Sequence, residues 1–198
     1  MFIIYSLINY LVGSIPFALI VGKLGYQTDV RNYGSGNLGA TNTGRVLGKK
    51  AAFIVGFLDG FKGFILFIIE SQFNYNAALL SIIFVAIGHC FPIFANFKGG
   101  KAVATTSGII LAISLKSITL FITLFVIPLA VWYFITKNTD YVSLASIVSV
   151  ALTTIMSFIF ADNFRIKICT LLLTALVIYK HKENIGRLIS GTESKKNY

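Results

Sequence analysis

Long uncharged apolar runs dominate the chain, each closed by a short cluster of charge or by glycine and small polar residues. A run of about 20 such residues spans a bilayer's hydrocarbon core as a helix, since a helix satisfies its own backbone hydrogen bonds where water is absent. The composition agrees: 56% of the 198 residues are hydrophobic and 12% charged, against about 25% charged in a soluble domain. A soluble enzyme, a disordered chain and a collagen-like repeat are excluded. An integral membrane protein remains. The runs predict an all-α fold of seven transmembrane helices, over 2–22, 51–69, 77–97, 102–114, 117–136, 142–160 and 164–179, in a single domain covering 1–198.

The first run meets no charge before Lys23. A cleaved signal peptide carries a basic segment ahead of its apolar stretch and small residues after it, so 2–22 reads as a first span with the N-terminus outside. The segments 23–50, 98–101, 137–141 and 180–198 are then cytoplasmic, and so is the C-terminus. Under this topology 13 basic residues fall inside and three (Lys116, Arg165, Lys167) outside, with Lys62 inside a span. That is the bias that orients membrane proteins. The formal charge of +10, which in a soluble chain would suggest nucleic acid, therefore marks topology and anionic ligands instead. Cys90 and Cys169 lie in apolar runs and read as free buried thiols.

One helix is too short. At 1.5 Å per residue, 102–114 covers about 20 Å of a core about 30 Å thick. Led by Gly99-Gly100-Lys101, it reads as a half-helix after a glycine-rich turn, its free N–H groups held inside the protein.

Three inner segments are more than linkers. The first, Gly34-Ser35-Gly36-Asn37-Leu38-Gly39-Ala40-Thr41-Asn42-Thr43-Gly44-Arg45, packs glycines, hydroxyls and amides ahead of an arginine. Such a backbone folds closely around a ligand, and Arg45 can grip a phosphate bidentately. The segment satisfies G-x-G-x-x-G literally, but no strand precedes it, so a dinucleotide site is rejected. The second, Lys98-Gly99-Gly100-Lys101 followed by Ala102-Val103-Ala104-Thr105-Thr106, places a lysine at a helix start, an arrangement that attracts anions; its spacing is not that of a Walker A loop. The third, His181-Lys182-Glu183-Asn184-Ile185-Gly186-Arg187, follows the last span. His181 could serve as a base or hydrogen-bond a phosphate.

Two absences narrow the chemistry. No His, Cys and carboxylate spacing suits a metal, and neither histidine is followed five residues on by aspartate, which excludes the His-x-x-x-x-Asp motif of one large class of acyltransferases. Within spans, Asp59 and Lys62 are three apart; charges there are costly and usually paired, so an internal salt bridge on the Gly56-x-x-x-Gly60 packing face is expected. His89, before Pro92, reads as a hydrogen-bonded core histidine. Ser143 and Ser146 open the sixth span, within reach of a shared site.

Taken together, Gly34–Arg45, Lys98–Thr105 and His181–Arg187, with Gly13-Ser14-Ile15-Pro16-Phe17 and Asp59-Gly60-Phe61-Lys62-Gly63, resemble the bacterial acyl-phosphate-dependent glycerol-3-phosphate acyltransferases, the PlsY family. The matches run in order over nearly the whole chain. The resemblance implies seven transmembrane helices and an active site on the cytoplasmic side of the bacterial inner membrane. It implies transfer of a fatty acyl group from acyl phosphate to the sn-1 hydroxyl of glycerol 3-phosphate, the first step of phospholipid synthesis, with no cofactor. It places Ser35, Arg45, Lys101, His181 and Asn184 in the catalytic site. Gly36, Asn37, Thr41, Asn42, Gly99, Gly100, Thr105 and Ser143 would contact substrate or phosphate, and Glu183, Asp59 and Lys62 would be structural. The implied partners are both substrates, membrane lipid and, functionally, a soluble enzyme that makes acyl phosphate. Either His181 or a substrate phosphate oxygen could take the hydroxyl proton. The rival class is a small transporter of a phosphorylated metabolite, since a broken helix aimed at an anion is a transporter device too; no inverted repeat supports it.

Overall fold

A computed structural model describes residues 1–196, and every regular element among them is helical. The last two positions of the 180–198 segment lie outside the described residues. In chain order the helices are α1 (Phe2–Gly13), α2 (Phe17–Tyr26), α3 (Ala40–Leu47), α4 (Lys49–Ser81), α5 (Ile83–Cys90), α6 (Val103–Ser114), α7 (Ile118–Thr139), α8 (Val142–Phe160), α9 (Phe164–Lys180) and α10 (Lys182–Ile189). Among the described residues, four stretches are long and apolar enough to cross a membrane: Phe2–Tyr26, Lys49–Ser81, Ile118–Thr139 and Val142–Phe160. Their outward faces carry large apolar side chains, Leu7, Phe53, Phe57, Ile155 and Phe158 among them, as lipid requires.

The boundaries depart from the sequence expectation where proline or asparagine interrupts a run. The span expected over 2–22 is two helices, broken at Ser14–Pro16. The break leaves the Gly13 and Ile15 carbonyls without helical partners, and Lys62 Nζ, from α4, donates to both at 3.0 and 3.3 Å. The loop expected between 69 and 77 is helical. α4 runs on to Ser81 through a kink at Asn74 (φ −156°, ψ 96°), whose Oδ1 accepts from Ala77 N and restarts the helix. The run over 77–97 ends its α-helix at Cys90 before Pro92 and closes with a 3₁₀ turn, Ile93–Ala95. Lys180 Nζ donates to the Cys90 carbonyl there. In α7, Pro128 has no N–H for the carbonyl of Leu124; the helix is π-wound over Phe121–Val126, and Thr153 Oγ1 from α8 donates to that carbonyl at 3.3 Å.

Glycine sets the closest approaches. A Cβ on Gly108 of α6 would collide with the Gly60 carbonyl of α4, and one on Gly63 would lie 2.7 Å from the Thr105 carbonyl. α1 and α5 touch in the same way at Gly13 and Gly88. Such small-residue contacts replace the hydrophobic drive that lipid removes. The core they enclose joins α4, α5, α6 and α9 through Phe67, Leu79, Ile82, Ile109, Ile113 and Leu173. Cys90 and Cys169 are buried free thiols within it. α8 and α9 are laced by hydroxyls, with Ser157 Oγ to Thr170 Oγ1 at 2.7 Å and Thr154 Oγ1 to Thr174 Oγ1 at 2.8 Å. A smaller cluster of Ala18, Val30, Leu38, Val55 and Ala95 fastens the 30–39 loop onto the bundle. That anchoring fixes the first polar segment in place.

Candidate active site

The three polar segments, far apart in sequence, converge on one cavity of about 870 Å³. Two hydrogen bonds join them. Asn37 Nδ2 donates to the Gly99 carbonyl at 3.3 Å, tying the first segment to the second. The Lys101 ammonium donates to Asn184 Oδ1, tying the second to the third. Ser35, Asn37, Thr41, Asn42, Arg45, Lys101, Ser143, His181, Glu183 and Asn184 all line the cavity. Its polar end belongs to these loops. Its other wall is apolar, built from Ile110 of α6, Leu124, Phe125, Leu129 and Trp132 of α7, and Val150 of α8.

The first segment is shaped by Asn42, which is 2% exposed. Its Oδ1 accepts from Ser35 N at 2.8 Å, and its Nδ2 donates to the Val30 and Tyr33 carbonyls. The tight curl needs Gly34 and Gly36 at φ +60° and +66°, a region that only glycine enters freely. A Cβ on Gly34 would also strike Asn42 Oδ1. The sequence pattern puts Asn42 at a phosphate, but its amide is committed to holding the loop.

The second segment also departs from expectation. Gly100 N–H donates to the His89 carbonyl at 3.0 Å, and a Cβ on Gly99 or Gly100 would run into that carbonyl or the His89 ring. The two glycines therefore seat the turn against α5, and the Gly100 N–H is not available to a phosphate. Neither glycine lines the cavity, nor does Gly36. Thr105 is fully buried on the α6 face toward Gly63, whereas Thr106 and Ser107, around the helix from it, face the cavity.

Behind the turn, Asp59, Lys62 and His89 form one buried group. Lys62 Nζ is 2.8 Å from Asp59 Oδ1, and His89 Nδ1 lies 3.2 Å from the same oxygen and 3.0 Å from Nζ. The expected salt bridge thus gains a histidine partner and grips the α1–α2 break. Asp59 and His89 also reach the cavity wall.

The ionisation of the site follows from its enclosure. Burial, aided by Arg187 and Arg45, pulls the Lys101 ammonium down to about 8 against the opposing pull of Glu193 and Glu183. Burial likewise lowers His181 to about 4, with the Val177 carbonyl opposing. His181 Nδ1 sits 2.8 Å from that carbonyl. A carbonyl only accepts, so Nδ1 carries the hydrogen and Nε2 keeps its lone pair.

Glu193, which no sequence motif singles out, lies at the centre of the polar end. Its Oε1 accepts from Ser143 Oγ at 2.7 Å and Asn184 Nδ2 at 2.6 Å, and its Oε2 from Arg187 Nε at 2.8 Å. Burial resists its ionisation, but those three hydrogen bonds outweigh burial and hold its pKa below the usual carboxylate value. The available signal was scarcity: the chain has only seven acidic residues.

A cavity with a basic, hydrogen-bonding end and an apolar wall suits an enzyme or carrier whose ligands combine an anionic group with an apolar chain. The family model for glycerol-3-phosphate acyltransferase matches residues 3–191, and the chain belongs to that family. Among its relatives, a glycerol-3-phosphate acyltransferase 2 of Bacillus cereus is 46% identical, covering 97% of this chain and 93% of the relative. A glycerol-3-phosphate acyltransferase of Bacillus cytotoxicus is 45% identical, covering 100% of this chain and 98% of the other. Two crystal structures of PlsY (YgiH), an integral membrane glycerol 3-phosphate acyltransferase, superpose closely. The glycerol 3-phosphate form gives a TM-score of 0.89 at 36% identity, covering 99% of this chain and 96% of that one. The lysophosphatidic acid form gives 0.87 at 35%, covering 98% and 94%.

Proposed function

We propose that this protein is an acyltransferase that moves a fatty acyl group from acyl phosphate to the sn-1 hydroxyl of glycerol 3-phosphate. The products are lysophosphatidic acid and inorganic phosphate. The observation that carries this reading is the two-sided cavity: phosphate-type donors from three segments at one end, an apolar wall of α6, α7 and α8 at the other. A phosphorylated acceptor and an acyl chain fit such a space together.

Arg45 and Lys101 hold phosphate, with Ser35, Asn37 and Thr41 lining the curl beside it. Ser143, Asn184 and Arg187 all donate to the Glu193 carboxylate, which holds these side chains at the polar end of the cavity. The acyl chain lies against Leu124, Phe125 and Trp132. Acyl phosphate is a mixed anhydride and already activated, so the site supplies positioning and charge stabilisation rather than a protein nucleophile. The hydroxyl oxygen bonds to the acyl carbon, the bond from that carbon to the phosphate oxygen breaks, and phosphate departs with the electron pair. The hydroxyl proton passes to a phosphate oxygen of the substrate. A phosphate monoester has its second pKa at about 6, whereas His181 at about 4 is the weaker base. His181 Nε2 instead accepts a hydrogen bond from the hydroxyl and orients it.

The reading places seven helices in the bacterial inner membrane with the N-terminus outside, so that the cavity opens to the cytoplasm. The support is the 13 to 3 distribution of basic residues. A soluble enzyme making acyl phosphate would supply the donor. The test is acyl transfer by the purified protein in lipid, with labelled glycerol 3-phosphate and either acyl phosphate or an acyl thioester as donor. Lysophosphatidic acid from acyl phosphate alone is the expected result. Product from the thioester alone would overturn the donor assignment.

A further inference from the structure

The cavity wall holds a second histidine that the acyl transfer described above leaves unused. His89, near the end of α5, is 8% exposed and reaches the cavity beside Asp59. The position of its ring hydrogen follows from what surrounds Nδ1. An ammonium has three hydrogens, and Lys62 Nζ has three oxygen acceptors for them: the Gly13 and Ile15 carbonyls and Asp59 Oδ1. It also stands 3.0 Å from His89 Nδ1, but has no hydrogen left for it. A bare Nδ1 would moreover set its lone pair against Asp59 Oδ1 at 3.2 Å. Nδ1 therefore carries the hydrogen and donates it to Asp59, and in the neutral ring Nε2 keeps its lone pair. Nε2 has no hydrogen-bond partner among the described residues. It lies against Gly100, where an added Cβ would come within 2.1 Å of it, one residue before Lys101. The neighbouring wall is made of small residues, Ala40 of α3, Gly56 of α4 and Ala104 of α6, so nothing bulky shields the ring. A lone pair and a carboxylate present acceptors only. The group that docks against them carries an O–H, not a phosphate oxygen.

We propose that His89 is a specificity residue for the acceptor, its Nε2 accepting a hydrogen bond from the sn-2 hydroxyl of glycerol 3-phosphate. The proposal rests on the acyl-transfer reading. Glycerol 3-phosphate has two hydroxyls, and the cavity has two imidazole nitrogens that keep a lone pair, one on His181 and one on His89. His181 takes the sn-1 hydroxyl that is acylated, which leaves the secondary hydroxyl for His89. Held at both hydroxyls and at the phosphate, the glycerol has one orientation, and the primary hydroxyl alone faces the acyl carbon. Asp59 fixes the ring, so the acceptor stands in place before substrate arrives. An analogue without the secondary hydroxyl leaves Nε2 unpaired in an enclosed site, and a site built to bind a hydroxyl rejects the analogue lacking it.

The experiment compares kcat/KM for glycerol 3-phosphate with that for 3-hydroxypropyl phosphate, using the full chain in lipid nanodiscs and acyl phosphate as donor. The analogue keeps the phosphate and the primary hydroxyl and lacks the secondary one. The wild type should favour glycerol 3-phosphate by about tenfold. Two variants separate the ring nitrogens. In His89→Asn the side-chain amide takes the place of Nδ1–H against Asp59, and nothing replaces Nε2. In His89→Gln the amide reaches the place of Nε2, and the donor to Asp59 is lost. His89→Asn should lower the preference to about twofold or less, and His89→Gln should retain most of it. The ratio is measured on one preparation, so the fraction of folded protein cancels. A wild type without preference overturns the proposal whatever the variants do. A His89→Asn enzyme that keeps the wild-type ratio also overturns it, since a purely structural histidine predicts that result with His89→Gln as the damaged protein. Failure of the acyl-transfer reading shows separately, as wild-type protein that binds glycerol 3-phosphate and makes product from neither acceptor.

Discussion

Lys101 has two tasks that pull in opposite directions. Held half out of water beside Arg45 and Arg187, its pKa is lowered to about 8, yet as an ammonium it must hold an anion. Its charge is present below that value and lost as pH rises through it. The KM for glycerol 3-phosphate should therefore rise between about pH 7.5 and 9, and Lys101→Arg, whose guanidinium stays charged, should flatten that rise; a profile of KM against pH for both proteins checks it. Arg45→Ala removes a charge-assisted phosphate contact worth about 2 kcal/mol. KM should rise about thirtyfold by that figure, as read from initial rates. Lys62 is a different kind of lysine, paired with Asp59 and two backbone carbonyls. Lys62→Met leaves the Asp59 carboxylate buried beside a histidine alone, a loss of about 3–5 kcal/mol, visible as a lower unfolding midpoint in detergent.

At the scale of elements, the molecule relies on helices that touch backbone to backbone. α4 and α6 meet at Gly60, Gly63 and Gly108, where no side chain fits. α6 carries the lysine turn at its N-terminus, so the contact sets where Lys101 stands relative to α3 and α10. Gly108→Val should push α6 outward, costing about 1–3 kcal/mol of stability and lowering kcat together with affinity. A kinetic and thermal comparison with Gly186→Ala, where a Cβ meets open space, separates packing from the loss of a glycine as such. The helical character of the runs, the isolated short helix and the charge pair within α4 were legible, because hydropathy and spacing report them directly. The breaks were less so. Proline at 16 and 92 marked them, but the kink at Asn74 depends on a side chain capping the helix that follows. That Asn42 and Gly99–Gly100 hold their own loops in place was not legible for a related reason. Residues that shape a loop and residues that bind through it share one chemistry, small and polar, and only their hydrogen-bond partners tell them apart.

For the molecule as a whole, the convergence of segments 34–45, 98–105 and 181–187 came from motif order, since nothing local in any one of them requires the others. The reach of the tail could not be read that way. Glu193 meets Ser143, fifty residues earlier, and a hydrophilic terminus gives no pattern to announce it. The assembled cavity opens a polar end to phosphates and an apolar wall to an acyl chain, and both substrates must occupy it at once if the transfer is direct. Initial rates measured over a grid of acyl phosphate and glycerol 3-phosphate concentrations test that claim. Double-reciprocal lines that intersect are the expected result, showing a complex with both substrates bound. Parallel lines would contradict the account, since they signal an acyl-enzyme formed before the acceptor enters.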